Sequence, residues 1–329
     1  MYDNFDNKSV LITGGTGSFG RNFIKHLLNN SNAKKIIVFS RDELKQSQML
    51  KEIKDERLRF FIGDVRDLGR LNRAFNKVDI VVHAAALKQV DTLEYNPFEA
   101  VKTNILGTQN VIDASIDQGV QKVILISTDK AVEPINLYGS TKMCAEKLFI
   151  SGNSYTQGQT KFSCVRYGNV IGSRGSIVET LIQKNAGDTV KITDERMTRF
   201  WISLDQSFSL VLFALKNMRG GEIFIPKIPS MKLVDLIDAI APNCEREVIG
   251  IRPGEKLHES LLIKEEVAHA VEFDNYIVVI PEFSFSGADY DQYFKNGRKL
   301  DPSFSYTSDN CPDKILKEDI INIVKKISL

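Results

Sequence analysis

The fold of this chain can be predicted from one segment, Thr13-Gly14-Gly15-Thr16-Gly17-Ser18-Phe19-Gly20. The segment follows an apolar run at 9–13, which predicts a buried strand, and leads into FIKHLLNN at 23–30, which predicts a helix. Its glycines have GxxGxxG spacing, and glycine allows a tight turn and close approach of backbone N–H groups to a pyrophosphate. Between a strand and a helix, this spacing predicts a dinucleotide-binding turn. We expect cofactor contacts from Gly14, Thr16, Gly17, Ser18, Phe19 and Gly20.

Apolar, strand-like runs alternate with helical segments through the first half of the sequence. After the first strand, such runs occur at 35–39, 59–62, 80–83, 123–127 and 162–167. Continuous apolar strands with helical connections are typical of a parallel sheet that is covered on both faces. The sequence therefore predicts an α/β fold, a Rossmann-type doubly wound parallel sheet, with a dinucleotide-binding domain over residues 1–168.

The strand–helix alternation weakens after about residue 170. We expect residues 169–329 to form mainly a smaller C-terminal substrate-binding lobe over the carboxyl ends of the strands, where such folds bind ligands. Residues of about 200–225 are expected to pack back onto the sheet. They include a predicted helix over 205–218 with Phe208, Leu212 and Leu215 at helical spacing.

The composition excludes several classes of partner. The 329 residues include 43 basic and 42 acidic side chains, and a net charge of +1 does not predict nucleic-acid or membrane binding. No apolar run reaches the roughly 20 residues that span a bilayer, and the N-terminus lacks a signal-peptide pattern. The four cysteines lack CxxC spacing, and no metal-ligand cluster is visible. We therefore expect a cytoplasmic protein with reduced thiols.

The segment after the second strand bears on the choice between NAD and NADP. An acidic residue here commonly holds the ribose of NAD, whereas an Arg accommodates the 2′-phosphate of NADP. Asp42 and Arg41 are both present, and Ser40 and Lys45 add a hydroxyl and a second cation. This combination favours NADP.

Further cofactor contacts are expected after the third and fourth strands. Asp64, followed by Val65, could accept a hydrogen bond from the adenine amino group. Ala84 follows the fourth strand, where small residues would let the dinucleotide lie close to the backbone. His83 is interpreted as a packed strand residue.

The chemical centre is predicted after the fifth strand. Tyr138 and Lys142 lie four residues apart, hence on one face of a helix, and Thr128 ends the preceding strand. A free Tyr hydroxyl has a pKa of about 10, and we expect the nearby ammonium and the positive nicotinamide ring to lower it. The tyrosinate could then take a proton from a substrate hydroxyl while hydride leaves the same carbon. Lys142 could also hold the nicotinamide ribose.

Several motifs carry a resemblance to a known family. TGGTGSFG, STDK and YGSTK together resemble the extended short-chain dehydrogenase/reductase family. STDKAVEPINLYGSTKMCAEKLF, AAALKQVDTLEYNP, RYGNVIGSRGS, RMTRFWISL and RPGEKLHE resemble the inverting UDP-N-acetylglucosamine 4,6-dehydratases, which act at the start of pseudaminic acid biosynthesis. The resemblance implies NADP as cofactor, UDP-N-acetylglucosamine as substrate and a homo-oligomer.

The resemblance also implies catalytic roles. Tyr138 would deprotonate the hydroxyl on sugar carbon 4, Lys130 would remove the proton on carbon 5, and Asp129 would protonate the departing hydroxyl on carbon 6. Reprotonation of carbon 5 on the opposite face would invert it. A Lys base must be neutral, so we expect burial or nearby positive charge to depress the pKa of Lys130.

Substrate contacts follow from the same resemblance. Arg199 and Arg252 are candidate diphosphate clamps, and Glu255 could bind the uridine ribose. Phe200 and Trp201 are interpreted as core residues. Lys88 is expected to reach both cofactor and substrate. The full predicted set is Lys88, Thr128, Asn169, Arg174, Gly175, Ser176, Arg199, Arg252 and Glu255.

Three alternatives stay open at the level of sequence. A UDP-N-acetylhexosamine 4-epimerase would keep Tyr138 and Lys142 but would not need Asp129 or Lys130. A retaining 4,6-dehydratase often carries Met in place of Tyr138, together with an N-terminal membrane region. A redox-sensing module that binds NADP without turnover would not need the Tyr–Lys pair.

Overall fold

The computed structural model describes residues 2–173, 175–285 and 287–327. The first half alternates strands and helices as the sequence predicts. Its strands are β1 (Ser9–Thr13), β2 (Lys35–Ser40), β3 (Leu58–Ile62), β4 (Ile80–His83), β5 (Lys122–Ile126) and β6 (Lys161–Val165). Its α-helices are α1 (Ser18–Asn30), α2 (Glu43–Glu52), α3 (Leu68–Ala74), α4 (Val90–Tyr95), α5 (Pro97–Ala100), α6 (Gly107–Asp117) and α7 (Leu137–Gly152). Short 3-10 helices occupy Tyr2–Phe5, Asp129–Ala131 and Asn153–Tyr155, and a π-helical segment occupies Val101–Leu106.

The second half has shorter elements. Its strands are β7 (Asn169–Val170), β8 (Thr189–Ile192), β9 (Thr198–Ile202), β10 (Ile223–Pro226), β11 (Ser230–Lys232), β12 (Glu245–Val248), β13 (Ser260–Leu262), β14 (Ala270–Glu272), β15 (Tyr276–Val279), β16 (Arg298–Lys299) and β17 (Tyr306–Thr307). Its helices are α8 (Ile177–Ile182), α9 (Leu204–Asn217), α10 (Leu233–Ile240), α11 (Lys264–Val267), α12 (Asp291–Asn296) and α13 (Lys317–Ile327). Among the helices that the structure describes, none is long and apolar enough to cross a membrane.

The main sheet has ten strands in the order β3-β2-β1-β4-β5-β6-β10-β15-β14-β16. The first seven run parallel, and the last three join antiparallel. All five residues of β1 are buried, as expected for a central strand covered on both faces. Helix α1 packs against α9, while α3, α6 and α7 form a second packed group. The predicted doubly wound α/β fold is confirmed.

A smaller lobe has its own apolar core. Around Trp201, this core is formed mainly by residues of β8, β9, α8 and α10, with Ile320 of α13. Two small sheets, β11-β9-β7 and β12-β8, contribute to the lobe. Trp201 and Phe200 are almost fully buried, in agreement with their interpretation as core residues.

Parts of the second half of the chain belong to the main sheet or pack on it. Helix α9 packs on β5, β6 and β10. Strands β14, β15 and β16 also belong to that sheet, although they lie within the predicted lobe. Short antiparallel strands carry no strand–helix alternation, and tertiary contacts determine where they pair.

Candidate active site

The glycine-rich turn between β1 and α1 packs closely against the loop that follows β4. Gly14 has φ +67°, a left-handed conformation that favours glycine, and a Cβ there would lie 2.9 Å from the Cα atom of Ala85. A Cβ on Gly20 would lie 2.6 Å from the carbonyl oxygen of Gly14. The turn therefore requires glycine at both positions, as the predicted dinucleotide turn does.

A cleft of about 310 Å³ lies beside this turn. It brings together ten of the predicted cofactor contacts, which are Gly14, Thr16, Gly17, Ser40, Arg41, Asp42, Lys45, Asp64, Val65 and Ala84. Ala85 and Ala86 also line it and belong to the small residues after β4 that were expected to lie against the dinucleotide. Sequence reasoning missed Phe39, Gly63 and Thr103, which line the cleft as well. The small residues after β4 were a visible signal for the two alanines, whereas Thr103 comes from a remote helical segment.

Three predicted cofactor residues continue from the turn into α1. Ser18 is the first residue of the helix, and Gly20 is buried in its first turn. The Phe19 ring stacks on Phe23, with 5.4 Å between the ring centroids, and also meets the edge of Phe208. These aromatic contacts give Phe19 a packing role between α1 and α9.

The acidic residues of the cleft are bound to neighbouring groups. Asp42 caps α2, accepting from the backbone N–H of Lys45 at 2.9 Å and from its ammonium at 2.5 Å. Asp64 accepts from Arg66 Nη2 at 2.7 Å and Nε at 2.9 Å. Burial raises the pKa of Asp64, but its bonds with Arg66 and the charge of Arg41 outweigh this and hold the pKa below its usual range. These contacts favour a structural carboxylate over the predicted partner of adenine.

The basic residues of the cleft differ in exposure. The Arg41 side chain is about half exposed and its Nη1 lies 3.4 Å from Asp64. The Ser40 hydroxyl is buried and accepts a hydrogen bond from Gln46 Nε2 at 3.0 Å. Arg41 and Lys45 are therefore the cations at the end of β2 that a phosphate in the cleft could reach.

The predicted catalytic residues meet beyond the carboxyl end of β5. The Thr128 hydroxyl donates to Asp129 Oδ1 at 2.9 Å and also hydrogen-bonds the Tyr138 side chain. Lys130 Nζ donates to the same Asp129 oxygen at 3.0 Å. Asp129 is fully buried, and its other oxygen, Oδ2, has no hydrogen-bond partner among the described residues. A hydroxyl, an ammonium, a carboxylate and a phenol thus form one connected group.

The expected depression of the Lys130 pKa is wrong. Burial does lower this pKa, but the carboxylates of Asp129 and Glu259 outweigh burial and raise it above its usual value. Glu259 Oε1 lies 3.2 Å from Lys130 Nζ and was not predicted as a site residue. Its position in RPGEKLHE was the only available signal. The two carboxylates therefore favour the charged form of Lys130.

In the protein without bound nicotinamide, the pKa of Tyr138 is not lowered, and the prediction that it would be is wrong. Burial raises the pKa of Tyr138 to about 12, although Lys130 and the bond with Thr128 act in the opposite direction. Lys142 instead donates to the carbonyl oxygen of Ile126 at 2.8 Å, and burial lowers its pKa to about 8. A proton-accepting Tyr138 therefore needs a further positive charge nearby.

The segment 254–259 reaches from the small lobe to the loop 127–136 between β5 and α7. Asn136, which caps α7, donates to the carbonyl oxygen of Gly254 at 2.8 Å. Lys256 Nζ donates to the carbonyl oxygen of Val132 at 2.5 Å. These two bonds, together with the Lys130–Glu259 ion pair, connect the lobe to the loop 127–136.

The predicted diphosphate clamps are placed differently from one another. Arg199 is buried and donates to the carbonyl oxygens of Lys256 at 3.0 Å and Leu257 at 3.2 Å. Glu255 lies 3.8 Å from its Nη2 atom. Arg252 is exposed in the loop before this segment. The contacts of Arg199 favour a role in holding the segment 254–259 rather than a diphosphate.

The remaining substrate candidates lie in two places. Asn169 is in β7, paired with Trp201 of β9. Ser176 caps α8, and the N–H of Gly175 donates to Glu179 Oε2 at 2.5 Å, while Arg174 lies outside the described residues. The pKa of Lys88 is lowered, mainly by burial. The negative charge of Glu179 opposes this effect, and the positive charge of Lys130 adds to it, so both charges act on Lys88.

His83, at the end of β4, packs against Thr13 at the end of β1. His83 is buried and its Nδ1 lies 2.7 Å from the Thr13 hydroxyl, in agreement with a packed strand residue. Burial lowers its pKa to about 3, with a further contribution from Lys142.

Within the described residues, no group of three or more His, Cys, Asp or Glu side chains could hold a metal ion.

Comparison with known proteins agrees with this geometry. A family model described as polysaccharide biosynthesis protein matches residues 10–281. The chain is 49% identical over 328 residues to the inverting UDP-N-acetylglucosamine 4,6-dehydratase of Campylobacter jejuni, covering 97% of this chain and 98% of the relative. It is 41% identical over 337 residues to a UDP-glucose 4-epimerase of Rickettsia akari, covering 99% and 96%. The solved structure of Pen from Bacillus thuringiensis matches with a TM-score of 0.87 and 38% identity over 98% of each chain. The chain therefore belongs to the polysaccharide biosynthesis protein family.

Proposed function

We propose that the chain is an NADP-dependent UDP-N-acetylglucosamine 4,6-dehydratase that inverts carbon 5. The product would be UDP-2-acetamido-2,6-dideoxy-β-L-arabino-hexos-4-ulose. The contact that carries the proposal is the 3.0 Å bond between Lys130 and the buried carboxylate of Asp129, beside Tyr138. Loss of water needs an acid and a base beyond the redox tyrosine, and this pair supplies both. The Campylobacter relative supports the sugar and the stereochemistry.

The residues of the cleft fit a dinucleotide. Gly14 and Gly20 leave no room for side chains in the turn, and the buried Thr103 hydroxyl in the cleft wall has no hydrogen-bond partner among the described residues. When bound, the nicotinamide would accept a hydride from sugar carbon 4 and later return it to carbon 6. Arg41 and Lys45 would hold the 2′-phosphate, which is our reason to propose NADP rather than NAD.

Arg41→Ala is expected to weaken NADP binding by about tenfold or more while changing NAD binding little, because a charge-assisted bond to phosphate contributes about 1.5–3 kcal/mol. The dissociation constants of both dinucleotides, measured by calorimetry for the wild type and the variant, test this. An equal loss of affinity for NAD and NADP would contradict the assignment of Arg41 to the 2′-phosphate.

The chain's own residues can carry the proton transfers. Tyr138 would take the proton of the hydroxyl on carbon 4. A proton shift from Lys130 to Asp129 would then produce a neutral amine and a neutral acid in one step, without change in the total charge. The amine would remove the proton on carbon 5, and Asp129 would donate its proton to the hydroxyl that leaves carbon 6 as water. Both groups would thereby return to the states in which they began, with Lys130 Nζ 3.0 Å from Asp129 Oδ1.

Incubation with UDP-N-acetylglucosamine in deuterated water, followed by NMR, tests the reaction. We expect a methyl group at carbon 6 and deuterium at carbon 5 with inverted configuration. The Rickettsia relative makes a 4-epimerase the second candidate, and this activity would change only the configuration at carbon 4. A methyl group with retained configuration at carbon 5 would instead indicate a retaining dehydratase. Absence of the methyl group would contradict the proposal.

Other substrate contacts remain part of the proposal. We assign the binding of the nucleotide sugar to Lys88, Thr128, Asn169, Arg174, Gly175, Ser176, Arg252 and Glu255. Arg199 would support the segment that carries Glu255.

The proposal also includes a compartment, an assembly and a place in biosynthesis. The cysteines at 144, 164, 244 and 311 are free, which fits a reducing cytoplasm. Tyr95, Phe98 and Leu106 expose large apolar surfaces, which supports a homo-oligomer. We place the reaction at the start of pseudaminic acid biosynthesis.

A further inference from the structure

Glu259 is a second carboxylate on the Lys130 ammonium, and the proposed reaction leaves it without a role. Its Oε1 atom lies 3.2 Å from Lys130 Nζ, against 3.0 Å for Asp129 Oδ1. Both carboxylates are buried. Burying a carboxylate is unfavourable unless it is paired, so the position of a second buried carboxylate beside the proposed catalytic lysine points to a function.

The protein holds Glu259 from several sides. Its N–H donates to the Ser308 hydroxyl at 3.0 Å, and the N–H of Ser308 donates to its carbonyl oxygen at 2.8 Å. Arg199 Nε lies 3.9 Å from the Oε1 atom, and Lys256 Nζ lies 3.9 Å from Oε2. Arg199 also donates to the carbonyl oxygens of Lys256 and Leu257, and Lys256 Nζ donates to that of Val132. The backbone of Glu259 is therefore held by hydrogen bonds, and its carboxylate is held by the charges of three neighbouring cations.

A lysine base needs a directed lone pair as well as a free one. A neutral amine has two N–H bonds and one lone pair, arranged around a tetrahedral nitrogen. Lys130 Nζ donates a hydrogen bond to Asp129 Oδ1 and forms an ion pair with Glu259 Oε1. If the neutral amine directs its two N–H bonds at these two oxygens, the direction of its lone pair is fixed. The proton moves from Lys130 to the Asp129 oxygen that faces it. A half-turn of the carboxyl group then carries the protonated oxygen to the position of Oδ2, which has no partner among the described residues. The unprotonated oxygen now accepts from the amine, and Asp129 can still act as an acid. With Asp129 alone, the amine could rotate about a single hydrogen bond.

We propose that Glu259 is a positioning residue that directs the Lys130 nitrogen at the proton on carbon 5. The inference rests on the proposed function and adds a residue to it. Glu259 would not touch the substrate and would act only through Lys130. Its removal should therefore slow the step at carbon 5 and leave the oxidation at carbon 4 almost unchanged.

The two steps can be measured separately in a single turnover with enzyme and bound NADP in excess. The absorbance of the reduced nicotinamide reports oxidation at carbon 4, and NMR of quenched samples reports the methyl group at carbon 6. For Glu259→Ala we expect methyl formation to fall by about a hundredfold, the scale of a misplaced catalytic group. Oxidation at carbon 4 should stay within about fivefold of the wild type, so the reduced nicotinamide should accumulate.

Two further variants separate positioning from structural damage. Glu259→Gln keeps an acceptor oxygen, and we expect it to form the methyl group within about tenfold of the wild-type rate. Glu222→Gln changes a fully buried carboxylate elsewhere, which binds Ser163 and Tyr293. We expect it to lower the melting temperature without any accumulation of reduced nicotinamide.

Three results would overturn the inference while leaving the proposed function intact. Glu259→Ala could slow both steps by the same factor, which indicates a structural role. It could form the methyl group at the wild-type rate, which indicates no role. Glu259→Gln could be as slow as Glu259→Ala, which indicates that orientation by a hydrogen bond is not what matters. If the wild type forms no methyl group, the proposed function itself fails, and this inference fails with it.

Discussion

Replacement of Lys130 by alanine is expected to stop formation of the carbon-6 methyl group while oxidation at carbon 4 continues, so that reduced nicotinamide accumulates. The reason is that Lys130 would act only after the ketone has formed. A positioned acid or base contributes about 10²–10⁴-fold to a rate, and we expect methyl formation to fall by the upper part of that range. Single-turnover absorbance and NMR of quenched samples measure the two steps.

A second lysine provides a matched control for the loss of a half-buried ammonium. Lys122 lies at the other end of β5, where its Nζ donates to the carbonyl oxygen of Leu215 at 2.6 Å. Lys122→Ala removes a comparable side chain far from the Asp129 carboxylate and should not change the ratio of reduced nicotinamide to methyl product. If Lys130→Ala forms the methyl group at the wild-type rate, Lys130 is not the base at carbon 5.

The raised pKa of Lys130 gives this prediction a further consequence. An isolated lysine base would require loss of a proton to solvent, and its activity would depend on high pH. The direct bond to Asp129 allows the proton to move within the pair instead, so acid and base appear together. Asp129→Asn is then expected to resemble Lys130→Ala, because the amide can neither take that proton nor donate it to the leaving hydroxyl.

The parts of the fold predicted from sequence are those encoded by local patterns. The strand before Gly14 and the helix after it appear as expected, and α9 places Phe208, Leu212 and Leu215 in the core. Strands β14 to β16 were not predicted, because short antiparallel strands lack a periodic connection that would identify their partners. Their place at the edge of the main sheet depends on contacts that are distant in sequence.

The site shows the same division between local and distant information. The residues around the cleft follow strand ends, and a strand end is visible in sequence, so most of them were predicted. The contact between Lys130 and Glu259 joins residues far apart in the chain, and it reverses the expected direction of the Lys130 pKa. In the same way, the sequence did not show whether the Asp64 carboxylate is free to bind a ligand or is paired, as the structure shows, with Arg66. The charged residues of the site could therefore be identified from the sequence, but the structure was needed to show which of them form pairs.

Tyr138→Phe is expected to prevent both steps, with neither reduced nicotinamide nor methyl product. Without the phenol no group accepts the proton of the hydroxyl on carbon 4, and we expect oxidation to fall by about a thousandfold or more, within the range for a positioned base. The same single-turnover measurement applies. The contrast with Lys130→Ala is qualitative, because one variant stops before the hydride transfer and the other after it. A variant that still accumulates reduced nicotinamide at the wild-type rate would contradict the role of Tyr138.

The pH dependence of the wild type tests the same role with a defined sign. Burial raises the pKa of Tyr138 to about 12, so the deprotonated, proton-accepting form becomes more populated as pH rises toward that value. The rate of oxidation at carbon 4 should therefore increase with pH, by up to tenfold per unit where Tyr138 is mostly protonated. Positive charge on a bound oxidised nicotinamide would shift this rise to lower pH without changing its sign.

Tyr167→Phe provides the control, because this buried phenol lies near Tyr138 and has no proposed part in proton transfer. The rise should persist in Tyr167→Phe and vanish from the residual rate of Tyr138→Phe, since only the latter removes the group whose titration controls the step.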